Sequence, residues 1–245
     1  MIAFCQNAPL RKEPESLISC RMQTLQACYS ALPNALDWFT SDTGGILCRF
    51  GSALLILDDV DFDALFAFAD MMGINRIEWL SNGITAHAQS AGWTSSCYTV
   101  LHCVGHAAPT SANIEPNGSL QRCFSLLCQS DAAFAREVDY LSWLSDMTRR
   151  RNVGRAKTFI HGDAAVACIT ARGQHSAYLS SVAVLPEKRG QGLGLTLLRA
   201  VLAHDTLDNT DIFTVAQSKS LVDFYRQARF TVLPQLLTIA EKRKA

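Results

Sequence analysis

Between positions 177 and 200 the chain reads AYLSSVAVLPEKRGQGLGLTLLRA, and this segment restricts the fold more than any other. Residues 177–184 are strand-like, Pro186 turns the chain, Gly190, Gly192 and Gly194 follow in alternation, and a leucine-rich stretch opens a helix to about His204. A helix start leaves its first backbone N–H groups without intrahelical acceptors and carries partial positive charge, while glycines let an anion come close to the backbone. The segment is therefore an anion cradle. Its spacing argues against two familiar nucleotide loops. A Walker loop needs Lys and Ser or Thr after its last glycine, whereas Leu195 and Thr196 follow Gly194. A dinucleotide fingerprint counted from Gly190 needs glycine where Leu195 stands.

The surroundings sharpen the reading. Before the cradle, strands predicted over 157–161, 164–172 and 177–184 are separated by Gly162-Asp163 and Gly173-Gln174, the pattern of an antiparallel meander. After it come a strand over 212–216, a helix over 219–228 and a strand over 230–239, whose Pro234 implies an edge position or a bulge. Ahead of the meander we expect a strand over 123–128, a helix over 132–147 and a basic connection over 149–155. A polar, turn-forming stretch over 108–119 marks the boundary between residues 1–112 and 120–245. In the first part the spacing predicts a helix over 14–32, with Leu17, Ile18, Met22, Leu25 and Cys28 on one face. Then come a strand pair over 45–57 turning near Gly51-Ser52, a helix over 64–72, a strand over 76–80, a helix over 85–91 and a strand over 97–104.

Arg189-Gly190-Gln191-Gly192-Leu193-Gly194, following the strand that ends at Val184, resembles the coenzyme A-binding motif R/Q-x-x-G-x-G/A of the GNAT superfamily of N-acetyltransferases. The resemblance covers about residues 120–245. It implies a mixed, mostly antiparallel α/β sheet flanked by helices, with acetyl-coenzyme A as co-substrate. By that resemblance Val182, Ala183 and Val184 meet the pantetheine arm and thioester, and Gly190, Gln191, Gly192, Leu193, Gly194 and Leu195 hold the pyrophosphate. Arg189 pairs with phosphate oxygens or orients the loop. A second family feature is a helix tyrosine seven residues after a cofactor-binding polar residue, here Ser218 and Tyr225, close to two helical turns apart. Tyr225 would protonate the departing thiolate, Val184 N–H would stabilise the oxyanion, and a primary amine of a small molecule or peptide would attack directly in a ternary complex. Two departures stand out: serine replaces the frequent asparagine at 218, and Arg229 the frequent glycine before Phe230. The strands carrying the general base in some members contain no glutamate here, so the base is unassigned. A coenzyme A-binding or sensing protein without transfer is the alternative.

Other features have plainer readings. Cys97, His102, Cys103 and His106 lack a standard zinc spacing, and adjacent strand residues face opposite ways, so no metal is expected. The basic connection reads as solvated, and Asp58, Asp59, Asp61 and Asp63 as a helix-start cluster. Nine scattered cysteines without a C-x-x-C pair suit a reducing cytoplasm. Equal counts of 22 basic and 22 acidic residues remove the charge bias of a nucleic-acid or membrane-surface binder, and no apolar run approaches the length of a bilayer span. The order of elements over 46–104 echoes the second half without its cradle. As a degenerate copy, the first half would shape the acceptor pocket or mediate homodimer contact; an unrelated accessory domain is the other reading.

Overall fold

Tight turns at Gly51-Ser52 and Gly162-Asp163 set the local architecture, each folding a β-rich run back on itself. The structure, a computed structural model, describes residues 1–5, 10, 15–82, 92–108 and 113–243. In the first half it has β1 (Ile2–Cys5), α1 (Leu17–Tyr29), β2 (Leu36–Ser41), β3 (Ile46–Phe50), β4 (Ala53–Leu57), α2 (Phe62–Met71), β5 (Arg76–Ser81) and β6 (Trp93–Val104). The second half has β7 (Ile114–Pro116), α3 (Leu120–Ser130), α4 (Ala132–Glu137), α5 (Tyr140–Asn152), β8 (Lys157–His161), β9 (Ala165–Arg172), β10 (Ser176–Val184), α6 (Leu193–Leu202), β11 (Asp211–Ala216), α7 (Lys219–Arg226) and β12 (Thr231–Lys242). The helix expected over 85–91 lies outside the described residues. None of the described helices is long and apolar enough to cross a membrane.

All these strands form one sheet in the order β1-β2-β3-β4-β5-β12-β6-β11-β10-β9-β8-β7. Exchanging each strand with the one six places later reverses that order, so the two halves repeat one topology about a pseudo-twofold centre. At the centre β12 lies between β5 and β6, while β6 lies between β12 and β11. Each half thus lends its last strand to the other. The register of β12 on β6 breaks between Val232 and Leu236. Pro234 falls inside this break, at the expected bulge, two residues before β12 begins to pair with β5 at Leu236.

Helix α1 fastens the halves together. Its Leu17, Ile18, Met22, Leu25 and Cys28 are buried with Ile46 and Leu55 of the first half and Phe213 and Leu237 of the second. Buried Thr24 accepts from Arg172 N–H (2.8 Å) and donates to Arg172 O (3.0 Å). Arg21 pairs with buried Glu78, which also accepts from Arg76 (2.8 Å). Burial opposes ionisation of Glu78, but the two guanidiniums win and hold its carboxyl at about 2. Because the folded value lies below the ordinary 4.5, this stabilisation is full above about pH 4.5 and is lost as pH falls through about 2. Glu78→Gln leaves guanidiniums without their anion; urea unfolding at pH 7 is expected to show roughly 3–5 kcal/mol lost.

Two expected elements differ. Residues 123–128 lie in helix α3, not a strand. Cys123, Leu126 and Leu127 are spaced i, i+3, i+4 and bury together against Ile160, Val166 and Cys168, and the Ser119 hydroxyl caps the helix by accepting from Arg122 N–H (3.4 Å). The single helix expected over 132–147 is two, because extended Asp139 interrupts the turn and accepts from Ser142 N–H (2.8 Å) to start α5. Strands β1, β2 and β7 were not anticipated.

Candidate functional site

The site begins where two parallel strands part. β10 pairs with β11 only from Ser176–Asp211 to Tyr178–Phe213. Its register on β9 then shifts twice between Tyr178 and Ser181, after which it follows β9 to the Val184–Ala165 pair. Beyond Tyr178 its other edge has no partner strand among the described residues. Leu185 N–H donates to Ala164 O (2.9 Å), which sets the phase of the antiparallel ladder. Since hydrogen-bonded and non-hydrogen-bonded pairs alternate, Val182 and Val184 point their backbone groups into the gap, whereas those of Ala183 face β9. The backbone of Ala183, the third residue of the expected contact set, belongs to the ladder, and its side chain packs with the Cys123–Leu127 cluster.

The glycine loop closes one end of this gap. Gly190 and Gly192 have φ of 76° and 74°, a region side chains rarely adopt. Gly192 caps α6 without any side-chain bond, and the first intrahelical N–H is that of Thr196, to Gly192 O (3.0 Å). The N–H groups of Gly190, Gln191, Gly192, Leu193, Gly194 and Leu195 donate to no described residue. A helix head with open donors and its dipole behind them is a site for an anion. Gly194 is buried: a Cβ there would lie 3.2 Å from Val184 and 3.4 Å from Phe224, so its absence lets α6 press onto β10 and α7. Of the two uses expected of Arg189, the structure shows the orienting one. Its Nε donates to Val184 O (3.1 Å) and its Nη2 to Ser130 O (2.8 Å), pinning the loop to β10 and α3.

Tyr225 comes from α7 on the same face as α6. It is buried, with its ring 5.2 Å from that of Phe224 and 5.4 Å from that of Phe230. Burial raises its phenol above the ordinary 10.0, partly offset by a hydrogen bond with Thr214. The Thr214 hydroxyl donates to Leu179 O (2.9 Å), at the bulge where β10 leaves β11. A protonated phenol therefore stands beside the apex of the gap. Ser218 is exposed and caps α7, accepting from Leu221 N–H (3.3 Å). The only carboxylate in β10 or β11 is Asp211, at the paired end and 2.7 Å from His102 Nε2. His102 is thus engaged by a carboxylate.

The corresponding place in the first half is built differently. β4 and β5 pair without a shift from Ala53–Arg76 to Ile56–Trp79, and β4 ends one residue later at Leu57, without the long unpaired arm of β10. The loop that follows is Asp58-Asp59-Val60-Asp61, and the Asp61 carboxylate accepts from the N–H of Asp63 (3.0 Å) and Ala64 (3.4 Å). An anion meets filled amides and carboxylates. A cavity of about 760 Å³ opens here, with Glu15, Asp59, Trp79, Val100 and Phe213 in its wall, and neither the glycine loop nor Tyr225 lines it.

The family model described as "Acetyltransferase (GNAT) domain" matches residues 131–236. These residues form a GNAT acetyltransferase domain. The match runs from the start of α4 into β12 and takes in β10, the glycine loop, β11 and Tyr225. Solved structures extend the likeness to both halves. A tandem GNAT protein from the clavulanic acid biosynthesis pathway is 14% identical with a TM-score of 0.55, over 96% of this chain and 90% of that one. A GCN5-related N-acetyltransferase from Kribbella flavida is 12% identical with a TM-score of 0.60, over 93% and 95%. Another from Sphaerobacter thermophilus is 13% identical with a TM-score of 0.52, over 93% of each chain. At such identities the likeness is one of fold. No curated protein matches the chain in sequence.

Proposed function

We propose that the GNAT domain transfers an acetyl group from acetyl-coenzyme A to a primary amine of a small molecule or peptide. The observation that carries this reading is the run of six open amides at the head of α6, set against the unpaired edge of β10. The residues fit the co-substrate: the amides and helix dipole suit a diphosphate, and the outward backbone groups of Val182 and Val184 suit the amides of a pantetheine arm. Val184 O is taken by Arg189, which leaves Val184 N–H to polarise the thioester carbonyl. One oxyanion donor of this kind is worth about 3 kcal/mol. A neutral amine forms the new C–N bond as the C–S bond breaks, and Tyr225 gives its proton to the sulfur; the amine's surplus proton passes to solvent, from which the Tyr225 phenolate is reprotonated. Holding both partners in one gap supplies the orientation such attack requires.

A second reading, coenzyme A binding without transfer, draws on the lack of a carboxylate at the open end of β10 and β11. Calorimetry and thiol release with an amine panel separate the two. We expect one molecule of acetyl-coenzyme A per chain, since in the related loop of the first half the Asp61 carboxylate already occupies the amides of Asp63 and Ala64, and thiol release with at least one amine. Binding without release on any amine supports the second reading, and no binding removes both.

A further inference from the structure

The basic run over 149–155, which the sequence suggests is a solvated connection, begins as the last turn of α5 and engages neighbouring groups. Arg149 stacks 5.3 Å over the Tyr29 ring and Arg150 pairs with Asp146 (2.7 Å). Arg151 and Arg155 turn instead toward Lys157 of β8 and Arg172 of β9. Asn117, Arg151, Asn152, Lys157 and Arg172 line a recess of about 340 Å³. Arg172 is opposite Ala177, seven residues along β10 from Val184 and so about 23 Å from the glycine-loop end. This is a different place from the coenzyme A gap.

The cations are held by neutral groups. Arg151 donates to Gly118 O (3.1 Å) and Asn117 O (2.7 Å), and Arg155 to Arg172 O (2.8 Å) and Gly173 O (3.0 Å). Arg172 donates to Thr206 O (2.6 Å), and Lys157 to the Thr206 hydroxyl (3.3 Å), with His204 Nε2 3.2 Å from its ammonium. Among the described residues no carboxylate lies within ion-pairing distance of these four cations, although Asp205 adds a weak attraction on Lys157. All four are partly buried. Burial first, and then the neighbouring cation, push Lys157 and Arg172 below their ordinary values. Like charges gathered in a partly desolvated recess repel, and an oxyanion placed among them offsets that repulsion.

We propose that this recess binds a phosphate group, as a second anion site apart from the coenzyme A gap. Spare N–H groups on Lys157 and Arg172, fixed by their carbonyl and hydroxyl anchors, point the recess toward a tetrahedral oxyanion. The amide groups of Asn117 and Asn152 add neutral donors to the wall.

The test uses the full chain saturated with coenzyme A, so that the glycine loop is filled, and titrates inorganic phosphate against sodium chloride of equal ionic strength. Melting temperature and the His204 ring signals in NMR are followed together. We expect saturable stabilisation and a saturable His204 shift with phosphate and neither with chloride. Lys157→Gln and Arg172→Gln should each weaken phosphate binding at least tenfold, and neither should lower the melting temperature without phosphate, because each removes a repulsive charge. Phosphate acting no differently from chloride overturns the proposal, as does unchanged phosphate affinity in both variants. If one variant fails to fold, the other and the wild-type His204 shift decide. If coenzyme A does not bind, His204 still reports on this recess alone, so the two readings fail separately.

Discussion

Tyr225→Phe is expected to lower kcat at least about 100-fold, equivalent to about 2.7 kcal/mol of barrier, with affinity for acetyl-coenzyme A unchanged. The position of the phenol makes the effect large. Thr214 links it to Leu179 O at the bulge, and burial keeps its proton on at neutral pH, so in the proposed transfer it would donate to the developing thiolate. Phenylalanine keeps the ring contacts with Phe224 and Phe230 and loses only the hydroxyl, so the fold should survive. Wild-type activity should also fall on the alkaline side as pH rises past the raised phenol value, a limb that the variant lacks. Single-turnover thiol release over a pH series, with melting curves as a control, reads all of this. An unchanged chemical step in Tyr225→Phe would remove the acid role.

Gly192→Asp should weaken coenzyme A binding at least about 100-fold while leaving the chain folded. The substitution copies what the first half does at the start of α2, where Asp61 fills the amides of Asp63 and Ala64. A carboxylate at 192 would compete for the N–H groups of Gly194 and Leu195 and would face the diphosphate. Unit like charges about 4 Å apart near a protein surface repel by about 4 kcal/mol, more than the 100-fold requires. The φ of 74° at Gly192 costs a side chain about 1–2 kcal/mol, and a capping carboxylate returns about 1 kcal/mol. Calorimetry and a melting curve separate lost affinity from lost fold. Affinity within threefold of wild type would place the diphosphate elsewhere.

Much of the second half was legible because its signals are local. The glycine spacing, the turn residues between β8, β9 and β10, and the alternating strands each specify their own structure within about ten residues. The same holds for α1, whose apolar face and capping Ser16 lie in one short stretch. What stayed hidden depends on partners distant in sequence. β6 looks like any apolar strand, and nothing in residues 93–104 tells that its neighbours will be β11 and β12. The short apolar run at 123–128 reads equally as strand or helix until the sheet below it is known. Tyr225 is legible through its spacing from Ser218, which caps α7, whereas Thr214, which joins Tyr225 to the bulge, carries no motif. The cation recess escaped because Arg172 and Lys157 sit on separate strands, each unremarkable alone. The contrast between Asp61 and Gly192 became informative only once the sheet showed that they occupy equivalent places.

Amide NMR of the labelled chain titrated with coenzyme A tests the central claim most directly. The signals of Gly190, Gln191, Gly192, Leu193, Gly194 and Leu195 should move furthest, with Val182 and Val184 following and Asp63 and Ala64 still. Binding that leaves those six signals in place, or that moves Asp63 and Ala64 instead, would contradict it.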